Sequence, residues 1–495
     1  MRNCCVESGI EGAASEVTGV RYARNVLLGV VVLALGGCAQ IPSLAELASF
    51  RESGSFATSQ SFLASPTVWP EQHWWADYED AQLDQLIVEA LRDSPDLAAA
   101  VARLRRAEAV GQVSGAALWP QLSANGSATE QKQSYNYLTP KSMTPDGYQD
   151  YGRLTLDLSW ELDFWGKNRA ALAAATSEVE ASRAELAQVR LTLASAVATN
   201  YMELARLFAA RDTASASVEV RAKTASLFAE RFANGLETKG SLREAEARRA
   251  AAEGELLLVE EQLGLQRHRV AALLGAGPDR GLAIQRPAIK LNRPVGLPEA
   301  LAADLLGRRP DLVAARLRAE AQLKRIDQKR AEFYPNINLA GFIGFQSLGL
   351  DLLTQGGSKI GSIGPAVSLP IFTGGRLSAE LRGTKAAYDE AAANYNRTLT
   401  QALHEVADAA LSQKSLAGRL AKSEEAVQAA IEAHRVARNR YEGGLSSYLE
   451  VLSAEDVLLS SLRNLTDLQT RSYSLDVALM QALGGGYRQP ATSVQ

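Results

Sequence analysis

One thiol in this chain stands in a setting suited to a covalent modification. Cys38 closes the run Leu35-Gly36-Gly37-Cys38-Ala39, directly behind the apolar stretch Val26 to Leu35 and its basic neighbours Arg21 and Arg24. A short basic segment, an apolar core of about ten residues and a small-small-Cys ending are the parts of a bacterial lipoprotein signal. The sulfur is acylated, the peptide is cut on the amino side of the cysteine, and the mature chain begins at a lipid-tethered Cys38. A transmembrane anchor is the rival, and about ten apolar residues fall well below the ~20 that span a bilayer. Glu7, Glu11 and Glu16 precede the basic pair where an export signal should be basic. The lipoprotein reading therefore places the true start later, at Val17 or Val20, without Cys4 and Cys5. One mature cysteine remains, consumed by lipid, so no disulfide framework, haem motif or zinc cluster is expected.

No other residues gather for chemistry. His73, His268, His404 and His434 are scattered, and the carboxylates follow helix-surface spacing rather than any paired arrangement. No enzyme, catalytic residue, cofactor or metal is expected, and His404 and His434 read as solvated helix positions. The formal charge of −4 and pI near 5.8 argue against a nucleic acid partner, which needs a basic face. With 46% hydrophobic but only 6% aromatic residues, the Ala-rich composition suits long helices.

The elements that carry these residues are duplicated. Ser94-Pro95-Asp96-Leu97 and Trp119-Pro120-Gln121-Leu122 return as Arg309-Pro310-Asp311-Leu312 and Tyr334-Pro335-Asn336-Ile337, at an offset of 215. Past the next loop the offset becomes 209: Arg231 to Leu236 answers Arg440 to Leu445, and Leu274-Gly275 answers Leu483-Gly484. A repeat of about 200 residues is too long for a solenoid unit and indicates a duplicated half-molecule. The expected divisions are a signal over 1–37, an extended segment over 38–80, a first repeat over 81–300, a second over 301–486 and a tail over 487–495.

From Arg153 to Asp163 the residues alternate, with Leu154, Leu156, Leu158, Trp160 and Leu162 on one side and Arg153, Thr155, Asp157, Ser159, Glu161 and Asp163 on the other. Such alternation predicts a strand with one apolar and one wet face. The repeat partner runs through Ile363, Pro365, Val367, Leu369 and Ile371, and two further strands follow Pro120 and Pro335. The prediction is two hairpins, about 120–163 and 335–372, of four strands in all. An apolar face backed by a charged one suits a transmembrane barrel wall. A soluble sandwich is the alternative, but no other strand-rich region supplies its second sheet. Four strands cannot close a barrel, and open edges are not tolerated in hydrocarbon, so closure must come from other copies of the chain.

Leu377, Leu381, Thr384, Tyr388, Ala391, Tyr395, Thr398, Ala402, Val406 and Ala409 advance by fours and threes, as do Leu172, Ala175, Val179, Ser182, Leu186, Val189, Leu193 and Val197. That spacing marks coiled-coil packing. With no proline from Gly166 to Leu236 or from Gly375 to Leu445, each helix is expected to run for about 65 residues, or about 100 Å. Each then turns back at Asn234-Gly235 or Gly443-Gly444 into a second helix, completing hairpins over about 166–275 and 375–484. Proline-rich stretches from Pro278 to Pro298 and the tail after Gly484 read as irregular structural segments.

Signal, duplication, strand pairs and helical hairpins together resemble the TolC-like outer membrane efflux proteins, in their lipoprotein branch of the NodT and OprM type. The matching residues are Trp74-Trp75 through Leu83, Asp84 and Leu86, then Pro95-Asp96-Leu97, Trp119-Pro120-Gln121 and Trp160-Glu161-Leu162-Asp163 with Gly166. In the second repeat they are Pro310-Asp311-Leu312, Tyr334-Pro335 and Leu369-Pro370-Ile371-Phe372 with Gly374-Gly375-Arg376. The resemblance covers about residues 70 to 486. One departure is Ala39-Gln40-Ile41-Pro42 where that branch commonly has Gly-Pro-Asp-Tyr behind the lipid cysteine.

The resemblance implies a mainly α fold with a small β part. Three chains pool four strands each into a twelve-stranded outer membrane barrel, continued by a periplasmic α-barrel. The homotrimer would receive cargo from an inner-membrane pump of the RND type through a periplasmic adaptor, and Ala39 favours the outer membrane as the site of the lipid anchor. Type I protein secretion and metal efflux are alternative duties, and a periplasmic adaptor lipoprotein is the rival class. Adaptors, however, carry a single helical hairpin with flanking soluble β-domains.

By the same resemblance, adaptor contact falls on Gly235, Leu236 and Thr238 and on Gly444, Leu445 and Ser446, where a helix cap alone would also explain the glycines. Leu449, Glu450 and Ser453 match the residues that narrow the family's closed tunnel. Three copies of Glu450 would form an acidic ring favouring cations, or Glu450 is a solvated helix residue. Ser453 stands where an aspartate is frequent, with Glu455 and Asp456 two and three places on, so the resemblance does not fix a second acidic layer. Tyr441 is either a latch on the turn or a packing residue.

Overall fold

The computed structural model describes residues 41–62, 66–137, 139–290, 296–298 and 301–489. Cys38 and the whole signal lie outside them. Helices α1 (Ala81–Asp93) and α2 (Pro95–Ala116) precede strands β1 (Gln121–Gln131) and β2 (Gln149–Glu161), followed by α3 (Lys167–Ala233) and α4 (Lys239–Leu273). The second repeat supplies α5 (Leu301–Arg308), α6 (Pro310–Ala331), β3 (Asn336–Leu348), β4 (Lys359–Ser368), α7 (Arg376–Glu442) and α8 (Tyr448–Ala482). Helices α3 and α7 are both 67 residues long, and α4 and α8 are both 35. Their first residues keep the 209 offset, while α2 and α6 keep 215.

The starts of these helices follow from local chemistry. Pro95 and Pro310 occupy first helical positions, where a missing N–H costs nothing. Asp80 caps α1 by accepting from the Gln82 and Leu83 amides, and Thr238 caps α4 by accepting from Ser241. Asp163, expected on the wet face of a strand, instead lies beyond the end of β2. Its carboxylate accepts from the Asn168 and Arg169 amides at 3.0 and 2.9 Å, giving the first turn of α3 an acidic cap. β4 likewise ends at Ser368, short of the expected Leu369 and Ile371. Pro370, which has no amide to donate to a ladder, stands two residues past that end.

The chain divides into two compact units, with one division between Ala48 and Ser49 and the others inside α2, α3, α6 and α7. One unit, containing Glu108–Glu178 and Ala319–Ala391, holds the sheet in the order β1-β2-β3-β4, antiparallel throughout. The other contains Ser49–Ala107, Val179–Arg318 and the residues from Ala392 onward. Its core gathers Trp74, Tyr78, Leu83, Leu86 and Ile87 with Val197, Tyr201, Leu204, Leu274, Ile284, Leu399, Val406 and Val477. The Trp-Trp motif earns its place there: Trp75 Nε1 donates to Asp84 at 3.0 Å, and the Tyr78 hydroxyl donates to Asp476 at 2.7 Å. Along α7 the buried seam runs Tyr388, Ala392, Tyr395, Leu399, Ala402, Val406 and Ala409. The fours-and-threes spacing holds, with Ala392 and Leu399 at the positions expected for Ala391 and Thr398.

Candidate functional site

Two regions carry the residues that the sequence singles out. The first is the sheet. Register aligns Leu122, Leu158, Gly341 and Ile363 in one row and Ala124, Leu156, Ile343 and Gly361 in the next, all on one face. Leu122, Leu154, Leu156, Ile343, Ile363 and Val367 on this face are exposed in the single chain. The opposite face carries Ser123, Asp157 and Ser362 in register, with Asn125, Thr155 and Arg153 beside them. There Asp157 accepts from Asn125 at 2.9 Å and from Thr155 at 2.7 Å, and Arg153 lies 5.2 Å from the centre of the Phe342 ring.

The apolar band has edges. At one end Trp119, Phe164, Trp165 and Phe372 stand exposed near Trp160, and at the other the same face ends in the paired acids Glu130 and Asp150. From Trp160 to Asp150 is about 33 Å along a strand, or about 25 Å along a membrane normal at a tilt near 40°. That matches the apolar height of an outer membrane barrel wall. β1 and β4 each pair on one side only among the described residues, so both edges of the sheet are open. No helix of the described residues is long and apolar enough to cross a membrane.

The second region is the pair of helix turns, which repeat one geometry. Gly235 and Gly444 have φ of +72° and +73°, a left-handed conformation that glycine adopts without strain. Leu236 donates back to Arg231 O at 2.8 Å and Leu445 to Arg440 O at 2.7 Å, so each long helix ends in a Schellman motif. The leucines that follow are exposed, Leu236 by 65% and Leu445 by 74%. Capping accounts for the glycines; it does not account for two large apolar side chains left in solvent.

The two turns differ in their polar residues. Ser447, at the start of α8, is the positional counterpart of Thr238, so the hydroxyl matched to Thr238 is Ser447 rather than the expected Ser446. Ser446 is the positional counterpart of Glu237, and its hydroxyl is enclosed without a hydrogen-bond partner. Glu237 accepts from the Thr238 amide, from Ser241 Oγ at 2.6 Å and from the Tyr441 hydroxyl at 2.6 Å.

Tyr441 is both packed and hydrogen-bonded. It is 2% exposed, its ring lies 5.4 Å from that of Phe228 and 4.5 Å from the Arg231 guanidinium, and its hydroxyl ties α7 to the first turn. Burial, and then the Glu237 carboxylate, push the phenol above its ordinary pKa. Burial alone would raise Glu237, but its bonds from Ser241, Tyr441 and Thr238 outweigh this and hold the carboxyl below its usual range.

Leu449, Glu450 and Ser453 are exposed on α8, together with Val457, whereas Val451, Leu452, Glu455, Leu458 and Leu459 are buried on the opposite face. Arg440 approaches Glu450 at 3.9 Å, with both side chains half exposed. Glu455 is 0% exposed, on the buried face of α8 rather than beside the exposed Ser453. It accepts from Thr224 Oγ1 at 2.7 Å and meets Arg221 Nη1 at 2.8 Å, an ionic contact outside hydrogen-bond angles. Asp456 is bound by Arg221 and by Arg248, and these two cations override the effect of burial and hold its carboxyl low.

His404 is solvated as expected, but His434 is not: it is partly buried on α7, 4.0 Å from Glu455. Burial lowers the imidazole pKa, with Glu455 opposing and Arg438 and Arg221 assisting. Sequence reasoning missed this cluster because Arg221, Thr224 and Arg248 meet Glu455 and Asp456 across more than 200 residues. No group of His, Cys, Asp and Glu residues that could hold a metal occurs among the described residues.

The family model for "Outer membrane efflux protein" matches residues 86–276 and 301–485. The multidrug resistance outer membrane protein MdtP of Escherichia coli (strain K12) is 33% identical over 427 residues, covering 85% of this chain and 87% of MdtP. The fusaric acid resistance protein FusA of Burkholderia cepacia is 39% identical over 325 residues, covering 64% and 60%. Among solved structures, the outer membrane protein VceC from Vibrio cholerae superposes with a TM-score of 0.81 at 48% identity, covering 85% of this chain and all of VceC.

Proposed function

The chain belongs to the outer membrane efflux protein family, and from that membership we propose how its parts divide the work of an outer membrane channel. It is the channel subunit of an efflux system that works with a periplasmic adaptor and an inner-membrane pump. Three copies close one barrel by pairing β1 of each protomer with β4 of the next. The observation that carries this reading is the sheet with two open edges and an exposed apolar face about 25 Å tall. Such a sheet is stable in hydrocarbon only when closed. Extraction in mild detergent tests it: a heat-modifiable trimer that conducts ions in a planar bilayer is expected, and a stable monomer refutes the reading.

The finer assignments follow the residues. Leu236 and Leu445, with Gly235, Thr238, Gly444 and Ser446, form the adaptor-facing surface, supported by the exposure of both leucines. Leu449, Glu450 and Ser453 line the constriction of the closed tunnel, supported by their shared outward face on α8. The Tyr441 to Glu237 bond and the Arg440 to Glu450 approach hold that constriction shut. Cys38 carries the lipid anchor. The pump is of the RND type, on the sequence resemblance, and the cargo is small toxic organic compounds, on the names of the relatives MdtP and FusA.

A further inference from the structure

The apolar face of the sheet has a gap in its side chains. Leu158, Gly341 and Ile363 stand side by side in one row, and Leu156, Ile343 and Gly361 in the next row away from the long helices. The two glycines are diagonal neighbours on β3 and β4, so an empty lane crosses these strands between Ile343 and Ile363. The lane is the floor of a groove of about 590 Å³, walled by those isoleucines and by Leu122, Leu156 and Leu158. Crowding accounts for Gly341, where a Cβ would lie 3.1 Å from Ser362 O and 3.2 Å from Ile363 Cγ1. At Gly361 a Cβ would meet only Phe342 O, at 3.4 Å, an ordinary contact. Glycine weakens a strand interior and often marks where a ligand or another backbone comes close. Within the chain, nothing described crowds position 361.

The next residue along the lane on the same face of β4 is Lys359, in register with Phe345, Leu154 and Gly126. Its row lies about 20 Å along the strand from Trp160, inside the apolar band and short of the rim at Glu130 and Asp150. A cation facing hydrocarbon at this depth is costly unless its stem carries the ammonium toward the headgroups and an anion meets it there. Lys359 is exposed, and no carboxylate pairs with it among the described residues.

We infer that this groove and Lys359 together bind the phosphorylated, multiply acylated glycolipid of the outer leaflet. One acyl chain lies over Gly341 and Gly361 between the isoleucines, and a phosphate oxygen accepts a charge-assisted hydrogen bond from the Lys359 ammonium. The outer leaflet is the source because Lys359 opens β4 at the end of the sheet opposite the one from which the long helices leave. The inference rests on the barrel reading above, which turns this face to lipid.

Mass spectrometry of the lipid carried by full-length trimer, extracted in mild detergent, tests it. Gly361→Leu fills the lane and Lys359→Gln removes the cation; each should lower the glycolipid retained several-fold, while Lys359→Arg keeps the wild-type amount and all three remain heat-modifiable trimers. Wild-type retention in both of the first two variants, or a wild-type trimer carrying phospholipid alone, overturns the inference and leaves the barrel intact. So does a Lys359→Gln protein that keeps its glycolipid but loses heat resistance, which would pair Lys359 with a carboxylate of the neighbouring protomer instead. A wild-type chain that forms no trimer refutes the barrel reading itself. As a second measurement, delipidated wild-type trimer should bind the purified glycolipid several-fold more tightly than the same glycolipid stripped of its phosphates, and equal affinity overturns the inference.

Discussion

Replacing Tyr441 by Phe removes one oxygen and leaves the ring. The lost bond, 2.6 Å from hydroxyl to carboxylate, has a charged acceptor, a class contributing about 1.5–3 kcal/mol net. Glu237 keeps its bonds from Ser241 and the Thr238 amide, and the new ring keeps Phe228 and Arg231 as neighbours. No buried group is orphaned, so the lower figure applies, about 1.5 kcal/mol for each copy. That is about tenfold in an equilibrium constant, and three turns opening together multiply it to about a thousandfold. Purified trimer in planar bilayers should pass from rare openings to a substantially open state, and cells carrying the variant should admit large antibiotics that the wild type excludes. An open fraction and antibiotic exclusion equal to wild type, with trimer and melting temperature intact, would refute the latch.

Other outcomes follow from the same geometry. Leu156→Arg places a charge on the apolar face near mid-band and should cost about 2–4 kcal/mol per copy, abolishing heat-modifiable trimer in membrane fractions, whereas Ser159→Arg on the polar face should assemble normally. His434 is held below its ordinary pKa of 6.5. As pH falls below about 6.5 the unfolded chain therefore takes up this proton first, and stability drops. His434→Gln has no such proton, so its melting temperature should fall less steeply between about pH 7 and pH 5, and parallel profiles would contradict the burial argument. Cys38→Ser should eliminate labelling by radioactive palmitate while detergent-extracted trimer persists; continued labelling would place the lipid elsewhere.

Local patterns were legible in the sequence because they are short in range. Alternation along Leu154 to Trp160 sets a strand wherever its partners lie, and the 209 and 215 offsets located each repeated helix before any contact was known. Helix ends depend on single side chains, which is why Asp163 passed for a strand residue until its carboxylate was found capping α3. The Glu455 cluster was illegible for the opposite reason. An acid on a helix reads as solvated unless its partner is known, and Arg221 stands 234 positions earlier. His434 was misread because its neighbours Glu455 on α8 and Arg221 on α3 belong to other helices.

The open edges of the sheet have a genetic consequence. A subunit that completes its neighbours' walls also spoils them when it is faulty, so a defective copy of this gene should act dominantly over an intact one. With half of the chains altered and random assembly, only about one trimer in eight would be wholly normal. A single poisoned allele could then restore sensitivity in a cell that still makes good protein.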